Sequence, residues 1–491
     1  MNIVKSLFLG SAAALVAMSG AQAADLPLKA KAVEYVKVCS IYGAGFYYIP
    51  GTDTCIKLGG YLRADATLYG GGAYNAPAWN GAAGAKTRYA NDVIFRSRQD
   101  INIDTRTATE YGVVRTYFDA VFNWTTGNYG PTGYTGDGVA AGSLGVYYAF
   151  IQFAGFTFGK AVSQFDTPWT GYPGNNTSFL IGGYDNVTGI NQVAYTAEFG
   201  NGVSGSISLE DQSQYLQSNL LNVNGAPALT GYGVNSYAGT SVPDIVGKIR
   251  VDQAWGLFQV SAAAHQVRAS YYTPDLETSG HPSDTWGYAV QGAISLKNLP
   301  TGPGDSINFT ATYADGATRY VLGGVSPSSF AIYGNNSAPG SYQSVAFAQL
   351  ADGVFSGTNN INGSGITKTQ AWGVRGAFNH NWSPFWSTSL FGSYTSIDYN
   401  GTASLQMCGA PIAGFTCNPD FRIAQIGTVT RWTPVKNLTF SGEVMYTYLD
   451  QSHAGVVSVI TPVTGLAKPA ANYELKDQGT WSGNLRVQRT F

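Results

Sequence analysis

The residues able to do chemistry in this chain are few and poorly spaced for catalysis. The four histidines (265, 281, 380 and 453) lie far apart, and none opens an H-E-x-x-H pair. Both Gly-Lys dipeptides, at 159–160 and 247–248, lack the Ser or Thr that completes a phosphate-binding loop. No Ser/His/acid set or metal cluster stands out, so neither an enzyme nor a cofactor is expected. What remains is electrostatic: Arg63, Arg96, Arg98 and Arg115 early in the chain, and Asp166 and Asp185 in a stretch with no Lys or Arg. Opposed charges across a gap would make a transverse field that orients dipolar solutes.

The stretch holding the two acids, residues 161–189, is 29 residues long and rich in Gly and aromatics. It separates two short alternating runs, 156–160 and 190–199, that read as strands. A loop this long inside a regular strand–turn series is usually functional or disordered. Fully extended it would span roughly 95 Å, enough to enter a lumen and return, with Phe165, Trp169, Tyr172 and Phe179 to pack it to a wall.

Composition sets the context. Charged residues are 11% of the 491, against roughly 25% in soluble proteins, yet mean hydropathy is only −0.05. That combination fits strands alternating apolar with small polar residues. Residues 1–23 read as a signal peptide, with Lys5, an apolar LFLGSAAALVAMSG and an A-x-A site ending at Ala23. Its removal takes Lys5 and leaves 26 bases against 29 acids, no electrostatic case for nucleic acid. After residue 23 no apolar run approaches the ~18 residues a membrane helix needs. Export to an oxidising compartment favours disulfides Cys39–Cys55 and Cys408–Cys417, although spacing alone leaves the connectivity open.

Period-two alternation then recurs along the chain. In residues 55–69, Ile56, Leu58, Leu62, Ala64, Ala66 and Leu68 share one face, and Lys57, Tyr61, Arg63, Asp65 and Thr67 the other. In residues 93–106 the even positions carry Arg96, Arg98, Asp100, Asn102, Asp104 and Arg106. About 16 such strands follow, of a length that can cross a bilayer. Seven short connections alternate with eight long ones, and a meander with every long loop at one end has the layout of an outer-membrane barrel. Backbone N–H and C=O groups at bilayer depth need partners, so strands cross only as a closed sheet. Arg or Lys facing lipid at mid-depth costs roughly 2–4 kcal/mol, so the faces bearing Arg63, Arg98 and Arg115 must point into the lumen. Counting along each strand puts these three near mid-height, with Arg96 slightly higher. As exposed or lumen-facing polar residues the histidines need no further role. The last strand, 480–491, closes on Phe491, a terminal aromatic that resembles the signal read by barrel-insertion machinery.

These segments resemble a known family. VEYVKVCSIYGAGFYYIPGTDTCIKLGGYLRAD (33–65) is similar to the N-terminal signature of the alphaproteobacterial porins, the family of the Brucella Omp2 proteins. IQFAGFTFGKAVSQFD (151–166), RWTPVKNLTFSGEVMYTYLDQ (431–451) and the ending at Phe491 resemble it further. The resemblance implies an all-β chain: a 16-stranded antiparallel transmembrane barrel with long extracellular loops, short periplasmic turns and an inward-folded third loop. It also implies a general-diffusion pore, usually homotrimeric, narrowed by that loop, 161–189 here. The expected organisation is a signal peptide at 1–23, a periplasmic segment at 24–54 with Cys39, and the barrel from 55 to 491. Expected partners are outer-membrane lipid and lipopolysaccharide, insertion machinery, small hydrophilic solutes and ions. The alternatives are a sugar-specific channel using Trp169, Tyr172 or Tyr184, and an adhesin barrel whose loops bind partners. Six bases against four acids on the first three strands, plus the two loop acids, leave the ion preference undecided.

Overall fold

The computed structural model describes residues 37–71, 76–135, 142–169, 172–175, 180–184, 188–224, 232–409, 414–459, 462 and 465–491. The expected signal peptide, Phe179 and Asp185 lie outside the described residues.

Alternating faces build one closed wall. Its strands are β1 (Thr54–Leu68), β2 (Val93–Thr109), β3 (Gly112–Thr125), β4 (Gly142–Phe153), β5 (Phe156–Ala161), β6 (Ile190–Gly200), β7 (Val203–Glu210) and β8 (Asp244–Gln253). They continue as β9 (Gly256–Val267), β10 (Thr285–Lys297), β11 (Ser306–Asp315), β12 (Thr367–Asn381), β13 (Trp386–Tyr399), β14 (Phe421–Val435), β15 (Leu438–Gln451) and β16 (Gln478–Thr490). Each pairs antiparallel with the next. β16 returns to β1, from Tyr61↔Thr490 to Leu68↔Gly483, so the sheet closes without an edge. Outward positions such as Leu58, Leu62, Phe95 and Leu485 are exposed, while Asp65, Arg96, Arg98 and Asn484 on the opposite parity are buried. The cost of cationic side chains in lipid accounts for that parity.

Closure leaves the short connections at one end and the long ones at the other. At the short-turn end, residues 37–53 fold back on β1 through Tyr47↔Ile56 and Tyr48↔Cys55, and Cys39 bonds Cys55. Arg106 lies 4.9 Å from the Phe46 ring centroid, which seats this segment against lumen-facing side chains. The terminal Phe491 donates its N–H to the Gly60 carbonyl at 3.0 Å. Gly60 has φ +150°, and a Cβ there would stand 2.2 Å from the Asp100 carbonyl oxygen, so only glycine lets β1 lie this close to β2 at the point where the chain end docks.

The long-loop end carries a second, smaller sheet. Strands Ser329–Gly334, Gln343–Gln349, Ala471–Leu475, Ala454–Val459 and Phe415–Thr416 pair in that order, drawn from the sixth, eighth and seventh long loops. Trp79, Phe330, Ile332, Phe347, Phe421 and Leu449 form an apolar core beneath it, continuous with Phe165, Ile181 and Tyr184 of the third long loop. Cys408 bonds Cys417 in the seventh. His453 is buried in this cap, not exposed or lumen-facing as the sequence implied. Its Nδ1 accepts the Asn418 N–H at 3.1 Å and its ring packs beside Tyr232, Phe347 and Phe415.

Candidate functional site

The third long loop leaves β5 after Ala161 and re-enters the wall at Ile190. Between those points its described residues are bonded along the inside of the barrel. Glu210 of β7 accepts the Ser163 hydroxyl at 2.7 Å and the Gln164 N–H at 2.8 Å. Gln259 of β9 donates to the Asp166 carbonyl at 2.8 Å. The Tyr172 hydroxyl meets Thr310 of β11 at 3.0 Å. Farther round, Asn175 gives its N–H to Glu443 of β15. Arg486 of β16 donates to the side-chain and backbone oxygens of Asn175 at 3.2 and 3.3 Å. On the way back, the Ile181 N–H donates to Gln425 of β14 at 2.9 Å and the Gly189 N–H to the Tyr147 carbonyl of β4 at 2.8 Å. The loop therefore reaches strands far round the barrel from the two it connects.

Three and four strands round from its starting strand, on β2 and β1, stands the arginine wall. β1 and β2 pair at Arg63↔Arg98 and Asp65↔Arg96, which brings three of the four predicted arginines to one level. Arg96 meets Asp65 at 3.1 Å, and Arg486 reaches the same carboxylate at 2.6 Å. Arg98 donates to Asn123 at 2.6 Å and lies 5.5 Å from the Tyr147 ring centroid. Arg63 bonds the Tyr61 hydroxyl and sits 4.5 Å from its ring centroid.

Arg115 does not belong to this level. It is near the start of β3 and registers with Arg106, eight residues along β2 from Arg98 (98 to 106), or roughly 26 Å of strand. There it pairs with Asp104 at 3.0 Å, a carboxylate Arg106 shares. The mid-height expectation treated β3 as ending near Phe122; the strand continues to Thr125, with Trp124 still facing outward. That extension puts Arg115 beside the short turn.

Asp166 is buried on the β9 side of the lumen, with Lys248 of β8 as a cationic neighbour. The family described as Porin subfamily matches residues 25–484. The chain belongs to this porin family. Porin Omp2b of Brucella suis biovar 1 is 35% identical over 309 residues, covering 61% of this chain and 76% of that protein. Porin Omp2b of Brucella canis is 34% identical over the same length. Among solved structures, the outer membrane channel DcaP of Acinetobacter baumannii superposes with a TM-score of 0.56 at 15% identity, covering 90% of this chain and 99% of that one. That likeness is one of fold. The porin family and the closed barrel together make this chain an outer-membrane pore for passive diffusion.

Several residues that seat the porin's third loop went unnoticed in the sequence. Arg375 of β12 is almost wholly buried and donates to the carbonyls of Leu180 at 3.2 Å and Tyr184 at 2.6 Å. Its guanidinium also lies 4.7 Å from the Tyr172 ring centroid. Gly182 (φ +102°) presses on the same strand, where a Cβ would meet the Val374 carbonyl oxygen at 2.5 Å, and a Cβ on Gly373 would come within 2.6 Å of Gly182 Cα. A signal was present: β12 carries Ala371, Gly373, Arg375 and Ala377 on its inward face, one cation among very small residues. Small inward residues leave room for a second layer of chain, and a lone arginine among them needs acceptors from that layer.

Proposed function

We propose that the pore's narrowest passage runs between the Arg63, Arg96 and Arg98 level and the inner face of loop 161–189. Small hydrophilic solutes and ions would pass there without specific binding. The observation that carries this reading is the run of loop hydrogen bonds from Glu210 of β7 round to Arg486 of β16, which leaves the β1–β4 side of the lumen as the route past the loop. Asp65 offsets only part of the charge of the guanidiniums around it. Asp166 supplies the opposing negative pole, with Lys248 beside it weakening it, so the field is carried mainly from the arginine side. Arg115 then belongs to the periplasmic vestibule.

The sugar-specific alternative is disfavoured by burial. Tyr184 is fully buried and the Arg375 guanidinium lies 4.7 Å from the Tyr172 ring centroid, which leaves half-buried Trp169 as the more open of the three aromatic candidates. By family membership we further propose a signal peptide at 1–23, a periplasmic segment at 24–54 and homotrimeric assembly in lipopolysaccharide-containing membrane. Insertion would be directed by Phe491. Chemical crosslinking that captures only monomer would remove the trimer.

The test is current through refolded protein in planar bilayers. Conductance should rise in proportion to salt and remain unblocked by added sugars. The Arg63→Ala/Arg98→Ala double variant should shift the reversal potential toward cations, on the order of 10 mV under an approximately tenfold KCl gradient. A reversal potential identical to that of the unsubstituted porin would contradict the proposed position of the passage.

A further inference from the structure

We propose that His265, buried in the wall away from the passage, is a positioning residue for the constriction: with Asp244 and Asp352 it latches the sixth long loop onto the third. The inference rests on the reading that loop 161–189 sets the passage.

His265 on β9 is completely buried, as are Asp244 at the start of β8 and Asp352 in the sixth loop. Its Nδ1 lies 2.8 and 3.0 Å from the two Asp244 oxygens and so carries a proton toward them. Its Nε2 lies 3.2 Å from the Tyr237 hydroxyl, which itself donates to Asp352 at 2.8 Å. With the tyrosine proton committed, Nε2 is also the donor, and an imidazole with two donors is the cation. A cation between two carboxylates is the arrangement that makes burial of three ionisable groups tolerable, because each charge has a partner. The other titratable groups packed around it are Glu210 of β7, which accepts from Ser208, Ser163 and Gln164, and Tyr320 and Arg319 of the sixth loop. Arg319 donates to the Ser326 carbonyl at 2.5 Å and to Ser328 at 2.6 Å.

The latch reaches the third loop through two contacts. The Tyr320 hydroxyl donates to Asp244 at 2.6 Å, while its ring packs 4.6 Å from Phe165 and 5.4 Å from Tyr184. The next residue, Val321, accepts the Gly182 N–H at 2.9 Å. Asp352 holds the base of the same turn by accepting from the Thr318 N–H at 2.7 Å and the Thr318 hydroxyl at 2.8 Å. It also accepts the Ser218 N–H of the fourth loop at 2.7 Å. Loss of the imidazolium would leave two buried carboxylates without the cation they share, one bonded to Tyr237 and the other to Tyr320, and the turn bearing Tyr320 and Val321 would be the part free to move.

Full-length porin in planar bilayers tests this with three variants: His265→Ala, Tyr237→Phe, and a deletion of 165–185. Tyr237→Phe keeps the ring and removes only the hydroxyl link, so it reports even if His265→Ala does not fold. Both substitutions should raise single-channel conductance toward the deletion's value, by about 1.5-fold for His265→Ala and less for Tyr237→Phe, with added current noise. His265→Lys, which restores a cation, should return part of the original conductance. A deletion that alters conductance while both substitutions leave it unchanged would overturn the latch alone. A deletion without effect would remove the constriction reading and the latch with it.

Discussion

Replacing Arg375 with alanine is expected to widen the passage more than any other single substitution in the barrel. The guanidinium supplies the loop with charge-assisted hydrogen bonds to Leu180 and Tyr184 and a stacked contact with Tyr172. Each bond from a charged donor contributes roughly 1.5–3 kcal/mol, so the loop loses several kcal/mol of attachment at its middle. The wall itself keeps its ladder on both sides of β12, through β11 and β13, and should stay folded. Arg375→Ala should therefore migrate as a heat-modifiable barrel while showing higher and noisier single-channel conductance. Lysine would not restore the seat, because one ammonium cannot serve two carbonyls and lie flat on a ring. Wild-type conductance in a folded Arg375→Ala barrel would show that the loop is held by its other contacts.

Acid is expected to release the extracellular cap. Burial among Tyr232, Phe347 and Phe415 pushes the His453 imidazole down to about 4 from an ordinary value of 6.5. The folded cap thus holds a neutral ring whose Nδ1 accepts the Asn418 N–H. A released cap would let the same ring take up a proton at a higher pH. Between those two values the released state binds more protons, so the closed cap gains stability as pH rises through the window and holds all of it above 6.5. The swing is roughly 3 kcal/mol. Protection from hydrogen exchange at residues 415–418 and 454–459, corrected for the intrinsic pH dependence of exchange, should be high at neutral pH and low near pH 4, with the barrel strands protected at both. His453→Phe keeps an aromatic ring and removes the titration, so it should flatten the pH dependence. Persistence of the full dependence in that variant would move its origin elsewhere.

The wall was legible in the sequence because its rule is local. Alternation in residues 55–69 or 93–106 is visible without knowing which strand pairs with which, and the cost of arginine in lipid settles the parity. The same locality failed at Arg115, where mid-height was counted from a strand read as too short. The cap sheet was not legible because its pairings join distant segments, such as Val345↔Leu475 and Gly455↔Leu475, inside loops whose composition gives no sustained alternation. His453 was misjudged for a related reason, and the burial of His265, which shares the inward parity of Gln259 and Ser261, was missed with it. A lone His265 or His453 looks like a polar surface residue until the fold brings Asp352 or Asn418 beside it. Loop 161–189 was conspicuous by its length and lack of bases, yet the residues that seat it, Arg375, Gln425, Glu443 and Arg486, lie on strands hundreds of residues away.

The central claim is that loop 161–189 narrows the passage, and single-channel conductance before and after deletion of 165–185 tests it most directly. Both proteins are to be refolded and measured in the same bilayer and salt. A clearly larger unit conductance is expected for the deleted form. Equal conductance in two folded barrels would contradict it.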